Sequence, residues 1–320
     1  MVYILFLIWF IILIKWADLL VSWASSIALK FKIAPIVVGL TIVAFGTSTP
    51  ELSVNMFSAL DWKTDLAIWN ILWSNIANIL LILWISSIIY PLRAQVSTIF
   101  KEIPFALLWV IVLLFMANDI IIDWWVSNII SRSEGLIFIW FFIVFLYYTF
   151  GIAKSWNIQS QEDDDIKELA LWKSIIFIII WLVGLTLWGK WIVDWAVIIA
   201  KWFGLSEAVI GLTVVAIWTS LPELATSVVA AMKKQTDIAI WNVVWSNIFN
   251  IFWILWLTAT ISPLPFNSSS NIDIFMTIFA TLILFIVMFI WKKSIIERWQ
   301  GILMVIIYFI YVWYLVISNI

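Results

Sequence analysis

The chain alternates long apolar runs with short polar breaks. Ten runs are long enough to cross a bilayer as helices, near 2–24, 36–60, 66–90, 99–117, 134–152, 174–200, 208–232, 238–262, 272–291 and 300–318. The first begins almost at Met1 and is too long for a signal-peptide core, so the pattern predicts a retained helix. One long polar interruption, 153–173, contains Glu162, Asp163, Asp164 and Asp165. A solvated linker is the expected role, ahead of a calcium-sensing tail, because acidic runs stay hydrated. It is also too short to hold a folded regulatory domain.

The pattern repeats. A shift of 172 residues superimposes the two halves without a gap from about 16 to 91. TSTPEL at 47–52 meets TSLPEL at 219–224, IWNILWSNIAN at 68–78 meets IWNVVWSNIFN at 240–250, and Pro91 meets Pro263. The expected organisation is a first half at 1–152, the linker at 153–173 and a second half at 174–320, with five spans in each half. An odd number sends the second half into the membrane from the opposite face. The expected fold is therefore an all-α membrane protein of ten transmembrane helices in two inverted five-helix repeats. Secondary transporters often share this plan, with the substrate site at mid-membrane. A channel built the same way is the rival.

Composition agrees. A chain that is 65% hydrophobic and 11% charged, with mean hydropathy +1.13, has too little polar surface to cover a soluble fold. The absence of Cys excludes disulfides and thiolate metal sites, and the absence of His leaves proton chemistry to carboxylates. The net charge of −2 gives no reason to expect nucleic acid, and no obligatory protein partner is evident. Assigning loops alternately puts Lys30, Lys32, Arg93, Lys101, Lys154, Lys167, Lys173, Lys233, Lys234, Lys292, Lys293 and Arg298 on one side. The other side holds only Lys63, Arg132 and Lys201. By the positive-inside rule the linker side is cytoplasmic and both termini of a multi-pass cell-membrane protein face out.

Glu51 and Glu223 are mid-span carboxylates at matching repeat positions, with no Lys or Arg in either motif. A buried carboxylate without a basic partner points to a bound cation. The competing reading, a protonated Glu inside a helix contact, is weakened by the repetition. Pro50 and Pro222 bring no N–H, which disturbs the preceding turn and releases backbone carbonyls around Gly46–Thr47 and Trp218–Thr219. The hydroxyls of Thr47, Ser48, Thr219 and Ser220 add neutral oxygen. Ser74 and Asn78, like Ser246 and Asn250, are four apart and share a helix face. Ser and Asn alone could be interhelical glue. Beside the Glu motif they complete an all-oxygen set suited to Ca²⁺ or Na⁺.

These paired TSxPE and SNxxN segments resemble the two repeats of the sodium/calcium exchanger family, within the cation/calcium antiporter superfamily. The resemblance covers nearly the whole chain. It implies no enzyme and no cofactor, but alternating-access antiport of three Na⁺ against one Ca²⁺, with Ca²⁺/H⁺ or K⁺-dependent antiport as the alternative. It also implies Glu51 and Glu223 as shared Ca²⁺/Na⁺ ligands. Thr47 and Thr219 would give backbone carbonyls to Ca²⁺, and Ala44 and Ala216 carbonyls to Na⁺. Ser48, Ser74, Ser220 and Ser246 would be side-chain Na⁺ ligands, and Asn78 and Asn250 would line the centre. Some relatives carry Asp at one of these asparagines, so here the site holds two formal negative charges.

The same pattern wants glycine at Trp69, Trp73, Trp218, Trp241 and Trp245. The chain has 26 Trp and 9 Gly, or about 3% Gly against an average near 7%. Trp occupies both members of the repeat pairs 16/188, 23/195, 69/241, 73/245 and 84/256. An interfacial aromatic belt does not explain tryptophans inside motifs. The expectation is that many of them are glycine in the native protein, read from UGA codons.

Overall fold

The computed structural model describes residues 44–60, 64–155, 216–290 and 294–318, together with residue 23 and pairs of residues at 172–173, 176–177 and 179–180. The spans expected near 2–24 and 174–200, the first parts of those near 36–60 and 208–232, and most of the acidic linker lie outside the described residues.

The first half contains α1 (Ala44–Thr47), α2 (Thr49–Leu60), α3 (Thr64–Ala77), α4 (Trp84–Ile89), α5 (Ile103–Met116), α6 (Asp119–Ile122) and α7 (Arg132–Ser155). The second contains α8 (Ala216–Thr219), α9 (Leu221–Met232), α10 (Thr236–Phe249), α11 (Trp256–Ile261), α12 (Asn271–Val287) and α13 (Arg298–Ser318). Elements α1 to α4 recur as α8 to α11 with identical lengths, 172 residues later. A π-helical turn joins α3 to α4 at Asn78–Leu83, and another joins α10 to α11 at Asn250–Leu255. Two-residue strands pair antiparallel across the halves: β1 (Leu92–Arg93) with β4 (Ile295–Ile296), and β2 (Ile129–Ile130) with β3 (Leu264–Pro265).

Six helical stretches among the described residues are long and apolar enough to cross a membrane: Leu66–Ile89, Thr98–Met116, Arg132–Thr149, Thr236–Ile261, Ser268–Val287 and Arg298–Ile317. Their burial sorts them. The first and fourth are 83% and 89% buried and form the centre, whereas the other four are 28–44% buried. Each of the outer four exposes large apolar side chains, among them Phe115, Val144, Phe275 and Trp313 in chain order. Apolar outer faces of this kind suit lipid, where nothing drives them inward and each backbone group is satisfied within its own helix.

The outer helices pack onto the centre: α13 on α4, α7 on α11, α12 on α3 and α5 on α10, with α12 and α5 also packed on each other. Gly301 makes the first contact close: a Cβ there would meet Ser87 Oγ and lie 2.7 Å from the Trp84 carbonyl. Only a residue without a side chain permits that approach. Two more buried carboxyl groups, which mid-span counting passes over, take tyrosine hydroxyls: Tyr148 donates to Glu102 at 2.8 Å, and Tyr311 donates to Asp273.

Candidate functional site

The halves meet crosswise. α1 packs against α10, and α8 against α3, so the start of each TSxPE segment lies on the other half's SNxxN helix. Each TSxPE segment breaks its helix at the serine: α1 stops at Thr47 and α2 starts at Thr49, while α8 stops at Thr219 and α9 starts at Leu221. Proline in the first turn of the following helix is tolerated because its missing N–H has no intrahelical carbonyl to serve there. The break places Glu51 and Glu223 one residue past their prolines, in a first turn whose dipole favours negative charge.

Both carboxylates are fully buried, at 0% exposure. Oε1 of Glu51 accepts from Ser74 Oγ of its own half (3.4 Å) and from Ser220 Oγ of the other half (3.3 Å). Oε1 of Glu223 mirrors this, accepting from Ser246 Oγ (3.3 Å) and Ser48 Oγ (3.0 Å). The remaining oxygen of each, Oε2, is buried with no hydrogen-bond partner. Two buried carboxylate oxygens without a protein donor are costly unless something positive meets them. Among the described residues no group of three or more Cys, His, Asp or Glu could hold a metal ion.

The structure thus brings together Glu51, Glu223, Ser48, Ser74, Ser220 and Ser246. Thr47 and Thr219 join the same lattice: Thr47 Oγ1 donates to Asn242 Oδ1 and Thr219 Oγ1 to Asn70 Oδ1, each at 3.3 Å. The hydroxyl protons of both threonines are thus taken up by amide oxygens of the opposite half. Ala44 and Ala216 open α1 and α8, one turn ahead of the break. Asn78 and Asn250 begin the two π-helical turns, and the Oδ1 of each is buried without a partner. A π turn inserts an extra residue and commonly marks a functional site.

Four asparagines that the sequence reading left without a role belong here. Asn70 Nδ2 donates to the Glu51 carbonyl (3.5 Å) and Asn242 Nδ2 to the Glu223 carbonyl (3.1 Å), tying each broken segment to its neighbouring helix. Asn75 and Asn247 bond across the halves. The signal for Asn70 and Asn242 was legible: they precede Ser74 and Ser246 by four residues, which extends the ligand face by one turn.

The motif tryptophans fill the centre. Trp73, Trp241 and Trp245 are 1–2% exposed; Trp73 packs on Tyr311 with ring centroids 5.7 Å apart, and Trp245 on Phe145 at 4.7 Å. Trp69 Nε1 donates to Ser270 Oγ (2.8 Å). Trp218 is half-buried, beside the α8 break. The indole N–H groups of Trp84, Trp109, Trp241, Trp245, Trp253 and Trp256 are buried with no acceptor. Each such orphan costs about 1–3 kcal/mol.

Comparison with known proteins follows the same architecture. A family model described as "Sodium/calcium exchanger protein" matches residues 1–151 and 173–317. The inner membrane protein YrbG of Escherichia coli K12 is 34% identical over 252 residues, covering 75% of this chain and 74% of that one. The sodium/calcium exchanger MaX1 of Methanosarcina acetivorans is 28% identical over 318 residues, covering 89% and 90%. A solved structure of the sodium-calcium exchanger NCX_Mj, soaked with Na⁺ and Sr²⁺, superimposes with a TM-score of 0.77 at 30% identity over 95% of each chain.

Proposed function

Because the chain belongs to the sodium/calcium exchanger family, we propose that it is a secondary antiporter exchanging Na⁺ for Ca²⁺ by alternating access, and that it extrudes Ca²⁺ from the cell. The observation that carries this reading is the pair of buried Glu51 and Glu223 Oε2 atoms without partners, ringed by hydroxyls and amides. Two carboxylates neutralise one Ca²⁺. The neutral oxygens of Ser48, Ser74, Ser220, Ser246, Asn78 and Asn250, with backbone carbonyls of Ala44, Thr47, Ala216 and Thr219, complete the shells of Ca²⁺ and of Na⁺. Three Na⁺ at the same two charges leave the loaded site at +1.

The full architecture in this proposal is ten helices in two inverted halves, 1–152 and 174–320, joined by a cytoplasmic linker at 153–173. Both termini are extracytoplasmic in the cell membrane, and the single chain works without a resident cofactor. The recurrence of α1–α4 as α8–α11 supports the repeat. The crossing supports alternating access. Each carboxylate takes a hydroxyl from the opposite half, so sliding one half against the other changes which side of the ion cluster is open.

The test is ⁴⁵Ca²⁺ uptake into vesicles reconstituted with the protein, under an imposed Na⁺, H⁺ or K⁺ gradient. Uptake driven by an outward Na⁺ gradient is the expected result. Uptake that follows only a proton gradient, or a requirement for K⁺, would replace the coupling ion. Flux without any counter-ion dependence would identify a channel.

A further inference from the structure

Four asparagine side chains form a closed lattice where α3 meets α10. Asn75 Nδ2 donates to the backbone carbonyl of Asn247 (3.3 Å), and Asn247 Nδ2 donates to the backbone carbonyl of Asn75 (3.1 Å). A carbonyl only accepts, so the amide end that faces it must be the NH₂ group. Each Oδ1 then faces the other way. There Asn75 Oδ1 accepts from Asn250 Nδ2 (2.9 Å), and Asn247 Oδ1 accepts from Asn78 Nδ2 (3.0 Å). The same logic passes to this second pair. With their NH₂ groups committed, Asn78 and Asn250 must turn their Oδ1 atoms away from the lattice, and both of those oxygens are buried and unpartnered. Asn78 lies one turn beyond Ser74, and Asn250 one turn beyond Ser246, on the faces that carry hydroxyls to the glutamates.

We propose that Asn75 and Asn247 are positioning residues for the ion site: Asn75 holds the amide of Asn250, and Asn247 that of Asn78, with the oxygen turned to the ion. This rests on reading the cluster as a cation site. In this role each Oδ1 serves the amide it orients, at 2.9 Å for Asn75 and 3.0 Å for Asn247, and acts on the ion through that amide. An amide released from this hold can present NH₂ to the ion, which repels a cation where the carbonyl attracts it. The wiring is crossed: each half fixes the ligand of the other, as Ser48 and Ser220 do for the carboxylates. The rival is a packing clasp between α3 and α10 that has no effect on the ligands.

A double-mutant cycle separates the two, read as equilibrium Ca²⁺ affinity by isothermal titration of the purified full chain, with a melting curve for every variant. Asn75→Ala is expected to weaken Ca²⁺ binding roughly tenfold, the scale of one buried hydrogen-bond partner lost. In an Asn250→Ala background the same change should cost little more, whereas in an Asn78→Ala background it should cost its full amount. Asn247→Ala should mirror this, silent with Asn78→Ala and additive with Asn250→Ala. Additivity in all four combinations, or coupling within one half, overturns the proposal. So does a clasp signature, in which melting temperatures fall without the crossed affinity pattern. Should Asn75→Ala fail to fold, the Asn247 arm answers the same question. Wild-type protein that binds Ca²⁺ yet shows no Na⁺-driven uptake overturns the transport reading alone, because the cycle can still be read. Wild-type protein that binds no Ca²⁺ overturns both.

Discussion

Replacing Glu51 by Gln changes one formal charge and almost no volume. Ser74 and Ser220 keep an acceptor, because the amide oxygen can take the place of Oε1. What disappears is the negative oxygen Oε2, which has no protein partner. Unit charges about 4 Å apart at an effective dielectric near 20 interact by about 4 kcal/mol, so losing the carboxylate costs Na⁺ roughly that much and Ca²⁺ roughly twice as much. Desolvation of the carboxylate offsets part of both losses but cancels in their ratio. Selectivity for Ca²⁺ over Na⁺ should therefore fall by about 4 kcal/mol, on the order of 10³-fold. Na⁺-driven ⁴⁵Ca²⁺ uptake by Glu51→Gln should vanish at micromolar Ca²⁺, while ²²Na⁺ binding is lowered less and the melting temperature stays near wild type. Glu223→Gln should behave alike, because its environment mirrors that of Glu51. Near-normal Ca²⁺ uptake in either variant would refute the argument, as would equal losses for the two ions.

The proposed exchange of three Na⁺ for one Ca²⁺ would move one net charge per cycle, worth about 2.3 kcal/mol per 100 mV; uptake should therefore respond to a valinomycin-set potential, and indifference to it would mean electroneutral exchange. Gly301→Ala should lower the melting temperature by an amount equivalent to about 1–3 kcal/mol, since its Cβ would press on the Trp84 carbonyl 2.7 Å away. An unchanged melting curve would contradict the close α4–α13 approach. Peptide mass spectrometry of the protein from its native cells should find glycine at Trp69, Trp73, Trp218, Trp241 and Trp245, with UGA in the gene at each. Protein carrying tryptophan at these positions should fold or transport poorly, and conversion of all five to Gly should restore it. Buried indoles such as Trp241 and Trp245, whose N–H groups have no acceptor, supply the physical motive. Tryptophan confirmed at Trp218 in a fully active protein would end that idea.

Much of this protein is local, and local patterns are written in the sequence. The six helical stretches of the described residues that are long and apolar enough to cross a membrane start and end within a few positions of the apolar runs, because a helix in lipid must be apolar along its whole bilayer length. The breaks ahead of Glu51 and Glu223 follow from Pro50 and Pro222, and the shared face of Ser74 and Ser246 with Asn78 and Asn250 follows from helical spacing. The repeat offset made each observation in one half a check on the other. Partners across the halves are a different matter. Ser48 serves Glu223 and Ser220 serves Glu51, across 175 and 169 residues, and no periodicity reaches that far. The π turns at Asn78 and Asn250, the commitment of the Thr47 and Thr219 hydroxyls to Asn242 and Asn70, and the fixed amides of Asn75 and Asn247 were equally out of reach. Each depends on which helix lies opposite, and only the packing of α1 on α10 and α8 on α3 decides that.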